Sequence, residues 1–82
     1  MPSLEVKVFA ILRERLATET LQVVYEEPLT AGTLLALVSA QFPAAAGLLP
    51  HCRVAVNREF KSAESAIAAG DEVALIPPIA GG

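Results

Sequence analysis

Four stretches of the chain place Leu, Val or Tyr at every second residue, the period of two that is typical of half-buried strands. These stretches span residues 4–9, 20–26, 53–56 and 72–76. In the first of them Val6 and Val8 share one face, and Phe9 lies on the other. Residues 57–60 are predicted to form a turn into a short fifth strand, because Asn57 tolerates the left-handed conformation of tight turns. We expect the first two strands to pair as a wide hairpin.

A helical period occupies the region between the second and third strands. Its apolar stripe consists of Leu34, Leu37, Val38 and Phe42. Thr30 suits the N-cap, because its hydroxyl can accept a hydrogen bond from a free backbone N–H, and Pro43 ends the helix. The predicted elements are one main helix over 31–41, a compact linker over 44–50, a short turn or helix over 10–16 and a brief coil over 63–69.

The order of these elements predicts an α+β domain, with a mixed sheet and one main helix packed across one face. A single helix leaves the opposite face of the sheet uncovered. The outward positions on that face are Phe9, Ala55, Ala74 and Ile76, with Phe60 beside them on an edge strand. We interpret this apolar patch as a surface for a protein partner. The alternative is a set of scattered apolar residues, which are common on protein surfaces.

The last residues of the sequence differ in character from the rest. Pro77 and Pro78 favour an extended path, and Gly81 and Gly82 pack nothing and cost backbone entropy to order. One interpretation is a frayed end. The other is an extended tail that carries a carboxylate through a narrow channel into the active site of another protein. The expected division is a domain over residues 1–77 and a flexible Gly-Gly tail over residues 78–82.

Charge and composition argue against several classes of function. The 82 residues carry a net charge of −3 and no cluster of Lys or Arg, which disfavours nucleic acid or an anionic membrane surface as a partner. Residues 28–50 contain no charge, but Pro43 and several polar side chains interrupt them. We therefore expect a core helix there rather than a membrane span. A single cysteine forms no internal disulfide, which indicates a reducing cytoplasm.

Neither Cys52 nor His51 has the sequence neighbours that a catalytic or metal site requires. No carboxylate arrangement suggests a triad with Cys52, and no second His or Cys lies at metal-ligand spacing from His51. No glycine-rich phosphate loop precedes a helix, so the chain is not expected to bind ATP itself. We expect no autonomous active site and no bound cofactor or metal.

Three motifs resemble one known family, and the similarity covers essentially the whole chain. They are Val-Lys-Val-Phe-Ala at residues 6–10 followed by Arg13-Glu14, Val-Ala-Val-Asn-Arg-Glu at 54–59, and Gly-Asp-Glu-Val-Ala-Leu-Ile-Pro-Pro-Ile-Ala-Gly-Gly at 70–82. With these motifs the chain resembles the small subunit of molybdopterin synthase, a sulfur-carrier protein with the ubiquitin-like β-grasp fold. Many members carry Phe where Ile76 stands here, a departure that alters the shape of the apolar patch.

The resemblance implies a reaction at the C-terminus. An adenylating enzyme of the ubiquitin-E1 type uses ATP to join AMP to the carboxylate of Gly82, and a persulfide-derived sulfur displaces AMP to leave a thiocarboxylate. The large subunit of molybdopterin synthase, which binds the pterin precursor, then uses this sulfur to build the dithiolene. Gly81 and Gly82 suit this reaction because no Cβ hinders the reacting carbonyl.

The resemblance also implies contacts with these partners. The positions that match partner-contacting residues of the family are Phe9, Arg13, Phe60 and Ile76, followed in the tail by Pro77, Pro78, Ile79 and Ala80. The expected assembly is a heterotetramer of two small and two large subunits.

Three alternatives stay open. A sulfur carrier for another thiolated product, such as thiazole or tRNA, shares the Gly-Gly end, although the Pro-Pro pair and Arg13-Glu14 favour the molybdopterin role. A ubiquitin-like modifier joined to lysines through its C-terminus is the second alternative. A purely structural β-grasp module is the third, and it gives Gly82 no role.

Overall fold

A computed structural model describes residues 2–78 of the chain. The predictions for Ile79, Ala80, Gly81 and Gly82 lie outside the described residues. The division between a domain and a tail at residue 78 therefore stays a prediction. The elements in chain order are β1 (Ser3–Val8), α1 (Ala10–Leu16), β2 (Thr20–Val24), β3 (Leu29–Thr30), α2 (Ala31–Gln41), two 3₁₀ turns (Pro43–Ala45 and Leu49–His51), β4 (Arg53–Val56), β5 (Glu59–Lys61), β6 (Ala66–Ile67) and β7 (Val73–Ile76).

The main sheet has five strands in the order β2-β1-β7-β4-β5. β1 and β7 run parallel, and the other neighbours are antiparallel, so the sheet is mixed as predicted. The predicted pairing of the first two strands is confirmed, with Leu4 opposite Val23. The side chains of Val6, Val8 and Leu75 are almost fully buried on the face that α2 covers. The predicted α+β architecture with one main helix across one face is correct.

Helix α2 has the bounds that the apolar spacing predicted. Thr30 is its N-cap, and its hydroxyl oxygen accepts a hydrogen bond from the Thr33 N–H at 3.2 Å. Leu34 and Val38 are completely buried against the sheet. No helix within residues 2–78 combines the length and the apolar composition needed to span a membrane.

The brief coil predicted over 63–69 is wrong for Ala66–Ile67, which is a strand. β6 pairs antiparallel with β3 in a separate two-stranded sheet, with Leu29 opposite Ile67. The close approach favours a glycine at the start of α2: a Cβ on Gly32 would lie 3.2 Å from both the Cβ and the carbonyl oxygen of Ala63, closer than most Cβ contacts. Two-residue strands carry no alternation, so their sequence gave no signal of this pairing.

The linker after α2 contributes more to the core than its sequence indicated. Two 3₁₀ turns, Pro43–Ala45 and Leu49–His51, form where a compact linker over 44–50 was predicted. Ala45 is completely buried, and Leu49 is 3% exposed. Leu12 on α1 is also completely buried and joins the same cluster. These residues close one end of the hydrophobic core beside the point where β7 ends.

A two-residue hairpin joins β4 and β5 and lies against the start of β7. Asn57 (φ 52) and Arg58 (φ 69) both adopt the left-handed conformation, as predicted for Asn57. The Asn57 side chain donates to Asp71 Oδ1 at 3.1 Å and accepts from the Glu72 N–H at 3.0 Å. These bonds attach the hairpin to β7, so that β5 and β7 present their outward side chains on one surface.

Candidate functional site

The sheet face opposite α2 carries the apolar patch that alternation predicted. Phe9 is 43% exposed and Phe60 is 52% exposed, whereas Ala74 and Ile76 are half-buried. Ala55 is only 9% exposed, but it lies outside the core cluster and lines the same hollow. We call these five residues the exposed sheet face. They surround a shallow hollow of about 360 Å³.

The register of the strands explains the shape of this hollow. Ala55 on β4 lies opposite Phe60 on β5 and opposite Ala74 on β7, and Ala74 is in turn opposite Lys7 on β1. Side chains directly across neighbouring strands point to the same face. Two alanines therefore occupy the middle of the row, and larger side chains stand at both ends. The result is a depression with an apolar floor.

Charged residues surround the hollow, and the sequence pattern did not indicate that they belong to the site. Lys7 Nζ lies 2.9 Å from Glu72 Oε2, and Arg58 Nε lies 3.5 Å from Glu72 Oε1. The Arg53 guanidinium lies 3.8 Å from the centroid of the Phe60 ring, a distance typical of a cation–π contact. Alternation alone could have placed Lys7 on the same face of the sheet as Phe9, and Arg53 on the same face as Ala55. The proximity of Glu72 to both cations depends on strand register, which local pattern does not give.

The Glu72 carboxylate makes stability depend on pH. A hydrogen bond from Lys7, together with the positive charges of Lys7 and Arg58, holds the pKa of Glu72 below its ordinary value. Its contribution is present above the pKa of the unfolded state and is lost as pH falls through the folded pKa. We expect wild type to melt above Glu72→Gln at neutral pH, the difference to shrink as pH falls below about 4.3, the ordinary pKa of Glu, and to vanish only below the folded pKa. Melting temperatures of both proteins against pH measure this, and a constant difference would contradict it.

A second hollow of about 690 Å³ lies beside the end of β7. We call it the tail-base groove. It is mainly apolar, and Ile11 on its α1 side is 42% exposed, a contribution that the sequence analysis did not identify. Phe9 and Ile76 line both this groove and the exposed sheet face, so the two surfaces are continuous. The full lining is Phe9, Ala10, Ile11, Arg13, Glu14, Leu48, His51, Ile76, Pro77 and Pro78.

The structure brings most of the predicted site residues together. Arg13 lies on the tail-base groove, where its guanidinium is 3.9 Å from Glu19 and its side chain is 54% exposed. Pro77 is buried and Pro78 is exposed at the same groove. Phe60 lies on the other side of the exposed sheet face. The predicted tail residues Ile79, Ala80, Gly81 and Gly82 follow the groove in sequence and lie outside the described part of the chain.

The surroundings of Cys52 are those of a side chain that packs against its neighbours and does not react. Its thiol donates to the Leu48 carbonyl oxygen at 3.3 Å, and burial raises its pKa, which disfavours the reactive thiolate. Within residues 2–78, no three His, Cys, Asp or Glu side chains are grouped closely enough to hold a metal ion.

A five-stranded mixed sheet with this strand order and α2 packed across one face defines a ubiquitin-like β-grasp protein. The chain matches the ThiS family over residues 6–82. It is 37% identical to small archaeal modifier protein 1 of Haloferax volcanii, in an alignment that covers 96% of this chain and all of that protein. The chain therefore belongs to the ThiS family.

Solved structures agree with this assignment. The crystal structure of the same Haloferax volcanii modifier superposes with a TM-score of 0.83 at 34% identity and covers 99% of this chain and all of that one. A Pyrococcus furiosus protein described as molybdopterin converting factor subunit 1 gives a TM-score of 0.81 at 18% identity and covers 96% of this chain and all of that one. The complex of subunits 1 and 2 of molybdopterin-converting factor from Helicobacter pylori gives 0.67 at 21% identity, covering 99% and 100%. At these lower identities the likeness concerns the fold.

Proposed function

We propose that the chain is the sulfur carrier of molybdopterin synthesis, which acts through a thiocarboxylate at Gly82. One observation carries the proposal. The exposed sheet face and the tail-base groove meet at Phe9 and Ile76, and Pro77 and Pro78 lead from there into the Gly-Gly tail. A partner that grips this continuous apolar surface receives the tail at a defined position.

The chemistry of the reaction determines what this chain and each of its partners contribute. A carboxylate is a poor electrophile, and its mixed anhydride with AMP is a good one, so an E1-like adenylating enzyme would join the Gly82 carboxylate to AMP from ATP and release pyrophosphate. Attack of a persulfide would displace AMP and form an acyl disulfide, and a thiol would then reduce its S–S bond to leave the thiocarboxylate and a new disulfide. The pterin precursor would be bound by the large subunit of the synthase. This chain contributes the docking surface and the reacting carboxyl group, with Gly81 and Gly82 lacking the Cβ that would hinder enclosure.

The proposed partners are the large subunit of molybdopterin synthase, in a heterotetramer of two small and two large subunits, and the E1-like enzyme. The Helicobacter pylori structure supports a two-subunit assembly, because subunit 1 of that complex shares this fold. The apolar exposed sheet face also supports a protein partner. The reaction needs a reduced sulfur donor, so we place the protein in the cytoplasm.

A ubiquitin-like modifier is the second candidate function. The 37% identity to small archaeal modifier protein 1 favours it. The same activated Gly82 carboxyl group would then react with a lysine amine of a target protein to form an isopeptide bond. The docking surface serves both functions, since each begins with activation by an adenylating enzyme. In the modifier role a lysine amine accepts the acyl group of Gly82, whereas in the carrier role the pterin precursor accepts its sulfur.

Reconstitution distinguishes the two candidates. Untagged protein is incubated with the adenylating enzyme, ATP, a persulfide donor, the large subunit and the pterin precursor. We expect formation of the dithiolene-bearing pterin, with one sulfur released for each carrier consumed. Failure of this transfer, together with heavier conjugates on a denaturing gel of the host lysate, would replace the carrier role with the modifier role. Omission of ATP is the matched control, because both reactions require the adenylate.

A further inference from the structure

Strand β2 forms one edge of the main sheet, and its register identifies the backbone groups that face outward. The Tyr25 N–H donates to the Pro2 carbonyl oxygen at 3.1 Å, and the Val8 N–H donates to the Glu19 carbonyl oxygen at 2.9 Å. Bonded and non-bonded pairs alternate in an antiparallel ladder. The N–H and C=O groups of Thr20, Gln22 and Val24 therefore point away from β1, toward the open edge.

Two side chains of the same chain occupy most of this edge. Gln41, at the end of α2, accepts from the Val24 N–H at 3.1 Å and donates to the Val24 carbonyl oxygen at 2.8 Å. Thr18 donates its hydroxyl to the Thr20 carbonyl oxygen at 2.9 Å and accepts from the Thr20 N–H at 3.4 Å. Each side chain thus makes both bonds that a neighbouring strand would make at that residue. In the part of the chain that the structure describes, no protein group bonds the outward backbone of Gln22.

The opposite edge of the sheet is protected in a different way. Two of the three residues of β5 are charged, Glu59 and Lys61. Charged side chains on an edge strand oppose pairing with another chain. β2 consists of Thr-Leu-Gln-Val-Val and has no charge, proline or bulge that would do the same. An uncharged strand of high β-propensity at an open edge is a template for pairing.

The edge of β2 is also complementary to itself. If two copies paired antiparallel about Gln22, Thr20 of one copy would lie opposite Val24 of the other. All outward N–H and C=O groups of the three residues would then find partners. The side chains brought together would be uncharged and partly β-branched, which favours strand pairing.

We propose that Gln41 and Thr18 together form a side-chain plug that prevents β2 from pairing with β2 of a second copy. The plug satisfies four of the six outward backbone groups within one chain, so pairing of two copies would break eight hydrogen bonds, four in each copy, and form six between them. It keeps the chain monomeric, with the exposed sheet face free for a partner. This inference rests on the β2 edge alone and is independent of the function of the tail.

The test removes the hydrogen-bonding atoms of the plug and keeps side chains of similar size. In the variant Thr18→Val/Gln41→Leu, we expect a concentration-dependent dimer by sedimentation velocity, with self-association at least about tenfold stronger than in wild type. Gln41 is exposed and Thr18 half-buried, so the fold should persist, as circular dichroism and melting can verify. Hydrogen exchange should show slower exchange of the Gln22 amide in the dimer. The single variant Gln41→Leu provides the same test if the double variant fails to fold.

Two further variants locate the contact. Gln22→Leu adds the same apolar side chain as Gln41→Leu, on the edge strand itself, but leaves the plug intact, and we expect it to stay monomeric. Adding Gln22→Lys to the unplugged variant places like charges opposite each other at the centre of the pair, and we expect it to restore the monomer. A folded, unplugged variant that stays monomeric would overturn the proposal, and so would a dimer that persists with Gln22→Lys.

Discussion

Deletion of Gly82 is expected to abolish sulfur transfer and to leave the melting temperature of the domain unchanged. The deletion places the carboxylate one residue short of the position at which the adenylating enzyme and the synthase must each enclose it. A displacement on this scale prevents the reactive geometry. The core cluster of the described residues lies between Leu4 and Leu75, and Gly82 has no side chain to add to it. The measurements are ATP-dependent adenylate formation and thermal melting of the same preparations.

A matched control tests whether the loss of activity comes from the position of the carboxylate or from any change in the tail. Ala80→Gly keeps the length of the chain and the Gly-Gly end, and we expect it to retain most of the activity. A deletion variant with unimpaired adenylation and transfer would eliminate Gly82 as the reacting residue. A large fall in melting temperature would instead indicate that the tail packs against the domain.

Phe9→Asp is expected to weaken binding of the large subunit at least about 100-fold, or about 2.8 kcal/mol. Phe9 lines both hollows, so an aspartate there places a charge against the apolar surface of the partner. The free energy of unfolding of the monomer should fall by less than about 1 kcal/mol. Phe9 is 43% exposed, and it is the N-cap residue of α1, a position that favours aspartate. Isothermal titration with the large subunit and thermal melting measure the two quantities.

Val24→Asp is the control for this prediction. Val24 is 41% exposed, close to the value for Phe9, but it lies on the edge strand β2 and lines neither the exposed sheet face hollow nor the tail-base groove. We expect it to bind the large subunit as wild type does. Equal losses of binding in the two variants would contradict the assignment of the docking surface. A loss of stability in Phe9→Asp larger than its loss of binding would mean that Phe9 serves the core.

Much of the fold could be predicted because its signals are local. Alternation placed Val6 and Val8 inward and Phe9 outward, and helical spacing placed Leu34 and Val38 in the core. The pairing of β3 with β6 could not be predicted, since two residues contain no period. The burial of Ala45 and Leu49 depends on how the linker folds back over the end of the sheet, and turn residues carry no periodic signal for that.

The candidate site was predictable to a similar extent and for the same reason. The side chains of Phe9, Ala74 and Ile76 alternate with core residues, so their face followed from the sequence. The charged residues around them required the register between strands, because Glu72 reaches Lys7 and Arg58 only across the sheet. The groove beside Pro77 and Pro78 required the position of α1 as well.

The family that the motifs suggested is confirmed by the match over residues 6–82 and by the fold, and the role within that family is our proposal. The high identity to an archaeal modifier protein keeps the modifier role as the competing hypothesis. Both roles use the carboxyl group of Gly82. They leave different chemical products on it, and these products differ in mass.

The intact mass of untagged protein, isolated from its own host under mild conditions, tests the central claim most directly. The account predicts a fraction in which one oxygen of the Gly82 carboxylate is replaced by sulfur, and this fraction should fall when the adenylating enzyme is absent. Protein found joined to lysines of other proteins through Gly82, with no sulfur-bearing fraction in a host that is making molybdopterin, would contradict the carrier role.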